Sequence, residues 1–175
     1  MSPIELEQRM PVLRIQIESL YNFLKTSGFL FQYPDEALPG PDARTEEVLA
    51  NIASIAGRVP SALAHFYRLI GSVNFNGHHP DWTGCDLPDP LVVFPITYAE
   101  SELADYLADA EEYKEAFGTF RIPVAPDALH KEGTSGGMWY GIPVPFKDLD
   151  PPLLDEPRHT SFLSYLDIDT AESAS

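Results

Sequence analysis

The sequence predicts an α+β domain in which several helices pack against a mainly antiparallel or mixed sheet. Amphipathic helical patterning dominates the chain before Gly71, and short apolar runs bounded by proline or glycine follow it, as in "PLVVFPI", "TFRIPVAPDA" and "MWYGIPVPF". These runs are too few and too irregularly linked for the strand–helix alternation of a doubly wound sheet. The 175 residues suffice for one core without disulfides or metals. The expected layout is a single domain: an opening helix within 1–33, a proline-rich loop at 34–44, a core at 45–167 and a mobile tail at 168–175.

"PVLRIQIESLYNFLKTSG" reads as the opening helix, with Pro11 suited to a first turn and Gly28 to the stop. Leu13, Ile17, Leu20 and Leu24 recur at helical spacing and mark its buried side. "QYPDEALPGPDA" is a loop. Thr45 can cap a second helix, with Glu46 and Glu47 at its positive end. Val48, Ile52 and Ile55 supply its buried side, and Gly57 ends it. A third helix follows Pro60 with Ser61 as its cap, and Leu63, Phe66, Tyr67 and Ile70 fall at i, i+3, i+4 and i+7 before Gly71 terminates it.

Pro90–Ile96 reads as a buried strand. "AESELADYLADAEEYKEAFG" is the longest helical signal, with Leu103, Tyr106, Ala110, Tyr113 and Phe117 facing the core. Glu102, Asp105, Asp109 and Glu112 form a neighbouring acidic stripe at the same spacing. Two further strands flank the glycine-rich turn "KEGTSGG". "RHTSFLSYL" closes the domain as a short helix that buries Phe162, Leu163 and Leu166, and "DIDTAESAS" is the tail.

Charge narrows the function. Eleven basic and 27 acidic residues give −16, yet residues 1–33 are neutral, with Glu5, Glu7 and Glu18 against Arg9, Arg14 and Lys25. Between Arg68 and Lys114 there is no lysine or arginine, although nine acids occur there. Such a surface repels nucleic acid and anionic membrane and favours a basic protein partner. No secretory signal or apolar run of about 20 residues is present, and the lone Cys85 excludes an internal disulfide framework, so the expected location is the cytoplasm.

Two stretches could carry chemistry. "HHPDWTGCD" gathers His78, His79, Asp81, Cys85 and Asp86, all of types that ligate metals, but contains neither C-x-x-C nor H-E-x-x-H. The alternative is a turn in which Pro80 and Gly84 shape the backbone, with Trp82 covering the core. "GTSGG" formally satisfies G-x-S-x-G around Ser135, and Asp148, Asp150 and His159 follow in the order of a hydrolase triad. A nucleophile elbow needs a strand before the serine and a helix after it, however, and here a polar loop precedes a strand. Asp155–Glu156 and Glu111–Glu112 are adjacent carboxylates without a recognisable catalytic partner. The reading is a protein with no catalytic residues, no cofactor and no metal.

"VPSALAHFYRLIGSVNF" resembles the start of the SUKH superfamily (Syd/Knr-type) domain, through Val59-Pro60, Leu63 with Phe66 and Tyr67, and Gly71-Ser72. This group includes the yeast Knr-type cell-wall regulator and many bacterial toxin-immunity proteins. "FRIPVAPDALHKEGTSGGMWYGIPV" is similar to the family's later hairpin, and "HTSFLSYL" to its closing helix, so the likeness runs from Ile52 to Leu166. The chain departs from the family where Gly-Ser-Val replaces the usual Asn-Gly-Gly turn and where the acidic helix at 99–117 is added. The resemblance implies a SUKH-like α+β fold and a binding role. The expected function is an immunity protein that neutralises a bacterial toxin by stoichiometric binding, with a basic toxin domain as partner and Glu102, Asp105, Asp109 and Glu112 as its contact face. Two alternatives stand beside it. One is a small hydrolase or metal-dependent enzyme using the histidine loop or Ser135, and the other is a regulatory scaffold domain of the same fold. Oligomeric state is left open.

Overall fold

The computed structural model describes residues 1–82, 89–134 and 137–173, with side chains described as far as Asp167. It has an α+β architecture. Helix α1 (Pro3–Ser27) starts well before Pro11, because Ser2 and Glu5 close a reciprocal capping box: the Ser2 hydroxyl accepts from the Glu5 amide while the Glu5 carboxylate accepts from the Ser2 amide. Pro11 therefore lies inside the helix. Its ring faces solvent, and Leu6, Met10, Leu13, Ile17, Leu20 and Leu24 bury one stripe on both sides of it. Burial along that stripe outweighs the backbone hydrogen bond lost at the proline. Gly28, at φ 94°, supplies the left-handed turn that ends the helix.

A two-residue strand, β1 (Leu30–Phe31), leads to the proline-rich loop, and α2 (Thr45–Ile55) and α3 (Ser61–Leu69) follow. Thr45 is the first helical residue rather than the cap, and its hydroxyl donates to the Asp42 carbonyl at 2.7 Å. Val48 and Ile52 are buried as expected, but Ile55 is exposed in the last turn, where α2 runs out from the core. Ser61 does not cap α3 either. Pro60 holds that position, and a tertiary bond from the Ala62 amide to the Leu149 carbonyl, 2.9 Å, satisfies an orphan donor. Leu63, Phe66, Tyr67 and Ile70 are all buried. At Gly71, φ 92°, a side chain would strike the Gly40 carbonyl, so the chain's exit from α3 is locked against the proline-rich loop.

The strands form three antiparallel two-stranded ladders rather than one continuous sheet. β1 pairs with β3 (Gly77–His78), β2 (Val73–Asn74) with β4 (Val92–Val93), and β5 (Phe120–Ala125) with β6 (Tyr140–Val144). The Phe75 N–H to Leu91 O bond, 3.0 Å, extends the β2–β4 ladder by one pair, and the Phe94 N–H to Val124 O bond, 2.7 Å, joins that ladder to β5–β6. The expected strand Pro90–Ile96 is thus cut to its two central valines, and Ile96 already begins the next helix. The β5–β6 pairing matches the expectation, although its connection includes a short helix, α6 (Ala128–Lys131), capped by Asp127.

The long acidic helix is two helices, α4 (Ile96–Ala108) and α5 (Ala110–Phe117). The closing helix α7 (Phe162–Ser173) buries Phe162, Leu163 and Leu166. It continues into the tail expected to be mobile, since nothing between Phe162 and Ser173 is a proline or glycine that would stop it. One hydrophobic cluster runs from Leu6 to Leu166, and α1 packs on α3 and α7 within it. No helix among the described residues is long and apolar enough to cross a membrane.

Candidate protein-binding surface

The acidic segment forms an elbow. Asp109 sits in the joint at φ −151°, ψ 88°, and its carboxylate accepts from the Glu112 amide at 3.0 Å, which makes it the cap of α5. Glu102 and Asp105 lie on α4 and Glu112 in the first turn of α5, so the four acids follow a bent surface rather than a straight stripe. A straight helix would align carboxylates at i, i+3 and i+4, and like charges at that spacing destabilise it. Breaking at Asp109 turns one of the four into a cap.

Glu102 differs from the other three. It is half-buried and accepts a 2.8 Å hydrogen bond from the Tyr113 hydroxyl, which itself accepts from the Arg121 amide at 3.3 Å. Burial pushes its carboxyl above the ordinary glutamate range, the Tyr113 bond opposes this, and the Asp105 charge adds to the rise. Glu102 therefore fastens α4 to α5. Asp105, Asp109 and Glu112 are exposed, as are Glu111 and Glu115. None of these five forms an ion pair among the described residues. Several acids elsewhere are engaged, since Arg44 reaches Glu47 at 3.0 Å and Glu100 at 2.7 Å and Arg68 reaches Glu46 at 2.6 Å. Glu7, Asp35, Glu132 and Asp148 are, like the elbow acids, without an ion pair among the described residues.

Beneath the elbow lies a run of aromatic rings. Tyr106 meets Tyr113 edge-on at 5.3 Å and Phe120 at 5.4 Å, Tyr113 meets Phe117 at 4.8 Å, and Phe117 stacks on Trp139 at 6.2 Å. Tyr106, Phe117 and Trp139 keep part of their rings at the surface, and Leu107 is 57 % exposed. Unpaired carboxylates beside half-exposed rings are the combination by which interfaces steer and then anchor a partner.

The histidine loop has a different role. His79 donates from Nε2 to the Ser27 carbonyl at 2.7 Å and accepts from the Asp81 amide at Nδ1, 3.1 Å. Both ring nitrogens are thereby committed to fastening the loop to the end of α1. His78 is exposed in β3, and Gly77 is required there, since a Cβ would collide with the Leu30 carbonyl. Trp82 lies over the edge of the core, 6.2 Å from the buried Phe29 ring, but is not sunk into it: it is 37 % exposed and stacks on the His79 ring at 4.4 Å. Among the described residues, no three His, Cys, Asp or Glu side chains converge as metal ligands would. Gly84, Cys85, Asp86 and Ser135 lie outside the described residues. Of the acids following Ser135, Asp150 accepts from the Leu163 amide at 3.0 Å and so holds the start of α7.

Sequence reasoning missed a buried polar cluster. The Lys131 side chain, only 2 % exposed, donates to Asp89 at 2.7 Å and to the Tyr165 hydroxyl at 3.1 Å, and that hydroxyl donates to the Val92 carbonyl. Arg158 reaches Glu156 at 2.7 Å and Asp89 at 3.5 Å, while the Thr160 amide and hydroxyl both donate to Glu156 at 3.1 Å. Burial raises the Glu156 carboxyl, but the bonds from Arg158 and Thr160 outweigh it and hold the group below its ordinary range. Burial and the charges of Asp89 and Glu156 push the nearby Tyr140 phenol up to about 12. Among the described residues the two cations meet two carboxylates, and the cluster ties β4, α6 and α7 together. No spacing announces it, because its members come from five separated stretches of chain.

No protein-family model matches the chain, and no curated protein or solved structure shows significant similarity to it.

Proposed function

We propose that this protein is a non-catalytic binding domain of the immunity type, which neutralises a basic toxin domain by occluding it in a one-to-one complex inside the cell. The observation that carries this reading is the α4–α5 elbow, where Asp105, Asp109, Glu111, Glu112 and Glu115 form no ion pairs among the described residues, beside the half-exposed rings of Tyr106, Phe117 and Trp139. The acids raise the encounter rate with a cationic surface, and the rings supply the desolvated contacts that hold it. Overall charge supports the same partner class, since −16 opposes nucleic acid and anionic lipid. His79 supports a binding role too, because its ring is committed to the fold.

The test is co-expression with basic toxin domains encoded beside the gene, followed by association kinetics. The expected result is rescue of growth, a one-to-one complex, and association that weakens with salt over a screening length of ~8 Å at physiological ionic strength. Asp105→Lys with Glu112→Lys slows association by about tenfold, an order of magnitude within the range of steering effects, and leaves the fold intact. Glu102 is left unchanged because it bonds to Tyr113. An unchanged rate and salt slope in that variant would remove the elbow from the interface. Stoichiometric fluorophosphonate labelling lost in Ser135→Ala would replace the binding reading with a hydrolase.

A further inference from the structure

Helix α1 has a second apolar stripe, on the side opposite the core. Ile4 is 66 % exposed, Val12 53 %, Ile15 62 % and Phe23 53 %, and the exposed Gln8 and Ser19 complete the row. At ~100° per residue, these six fall within a sector about 100° wide. From Gln8 to Thr26 that sector carries no charged residue. An ordinary surface helix places its charges there.

We infer that two copies of this chain pair through this face, with their α1 helices antiparallel about a two-fold axis at the Leu13–Arg14 peptide. A two-fold interface must be self-complementary, so each residue has to suit the one at the mirrored position. The row meets that condition. Ile4 and Phe23, Gln8 and Ser19, and Val12 and Ile15 lie at equal distances on either side of that peptide. Ile4 thus meets Phe23 of the partner subunit, Val12 meets Ile15 of the partner subunit, and the two polar positions meet each other.

Charge selects the same occupant. The chain carries −16, so most of its surface repels a second copy, whereas residues 1–33 are neutral. Most of the charged groups of α1 are already engaged: Arg9 with Asp167, Arg14 with Glu18 at 2.7 Å, Glu5 in the capping box and Lys25 over the Tyr21 ring. From Ile4 to Phe23 the helix offers about 28 Å of contact at ~1.5 Å per residue. A single pair of helices is a small interface, so a weak dimer with a micromolar dissociation constant is expected.

Sedimentation equilibrium of the full chain over roughly 10 to 300 µM, a range that brackets micromolar dissociation, tests this. The expected mass rises from 19.4 kDa towards twice that value. Val12→Glu with Ile15→Glu weakens association by at least ~100-fold, because four carboxylates then crowd the axis. Helix content stays unchanged, and at concentrations below the dissociation range melting matches the wild type, since both positions are exposed in the single chain. In a Cys85→Ser background, chains with Val12→Cys and chains with Ile15→Cys cross-link when mixed. Ile4→Cys alone does not, as its two copies lie about 28 Å apart along the helix pair. Added salt preserves or strengthens this association, whereas it weakens binding of a basic partner at the acidic elbow, so failure of one leaves the other standing. A monomer throughout, a dimer indifferent to the double glutamate variant, or rapid self-cross-linking of Ile4→Cys would each overturn the inference.

Discussion

Helix α1 and the α4–α5 elbow are comparable lengths of helical chain with opposite weaknesses. α1 carries a proline in its interior and stays whole, whereas the elbow carries no proline or glycine and breaks. The difference lies in what each stretch buries and how its charges are arranged. Six α1 residues sink into the core on both sides of Pro11, and its six charges balance. The elbow buries only Ile96, Ala99, Leu103 and Tyr113, and its stripe of acids opposes a straight continuation. Tertiary burial thus overrides a local breaker in one case, and its scarcity lets local electrostatics set the break in the other.

The sharpest way to break this comparison is to remove the burial that sustains α1. Phe66 on α3 is fully buried, meets Phe162 edge-on at 5.5 Å, and belongs to the helix against which α1 packs. Phe66→Ala should cost ~3–5 kcal/mol in chemical denaturation, the range for a fully buried aromatic. A cost under ~0.5 kcal/mol, the range of ordinary surface substitutions, would mean that α3 does not carry this core.

A smaller effect is expected at the joint. Asp109→Ala removes the acceptor for the Glu112 amide and should cost about 1 kcal/mol, the usual value of an N-cap. Asp109→Asn retains an acceptor and should recover most of that loss. If alanine stabilised the protein instead, the two helices would be fusing and the break would owe nothing to the cap.

These same residues show how far the sequence could be read. The apolar positions of α1, α3 and α7 were legible because each is a repeat at helical spacing, and burial follows that repeat directly. The β5–β6 pairing was legible from two apolar runs around a glycine-rich connection. Pro11 misled because a first-turn proline and an interior proline look alike until the capping box at Ser2 is seen. The elbow's break was not legible, since Asp109 satisfies both an acidic stripe and a cap, and only the second shows in three dimensions. Trp82 was legible in part: it lies against the buried Phe29 ring as its size suggested, but the His79 ring holds it at the surface. The cluster around Lys131 was beyond reach, because it is assembled wholly by long-range contacts.

The smallest effect concerns the charge at the elbow and depends on pH. Burial and the neighbouring Asp105 raise the Glu102 carboxyl above its ordinary value of 4.5, so the folded state holds this proton more tightly than the unfolded chain does. Ionising Glu102 therefore costs the fold stability. The cost is absent below the ordinary value, grows as pH rises through the raised one, and is fully present at neutral pH. Asp105→Asn removes the like charge three residues away and should stabilise the protein at pH 7 by ~0.2–0.5 kcal/mol, the scale of such helical pairs. Near pH 3, where Glu102 is protonated, the variant and the wild type should melt together. The same substitution in a Tyr113→Phe background should give a larger gain at pH 7, since Glu102 then lacks the hydroxyl that offsets the repulsion. Equal gains at both pH values would show that Asp105 acts through helix propensity rather than through its charge.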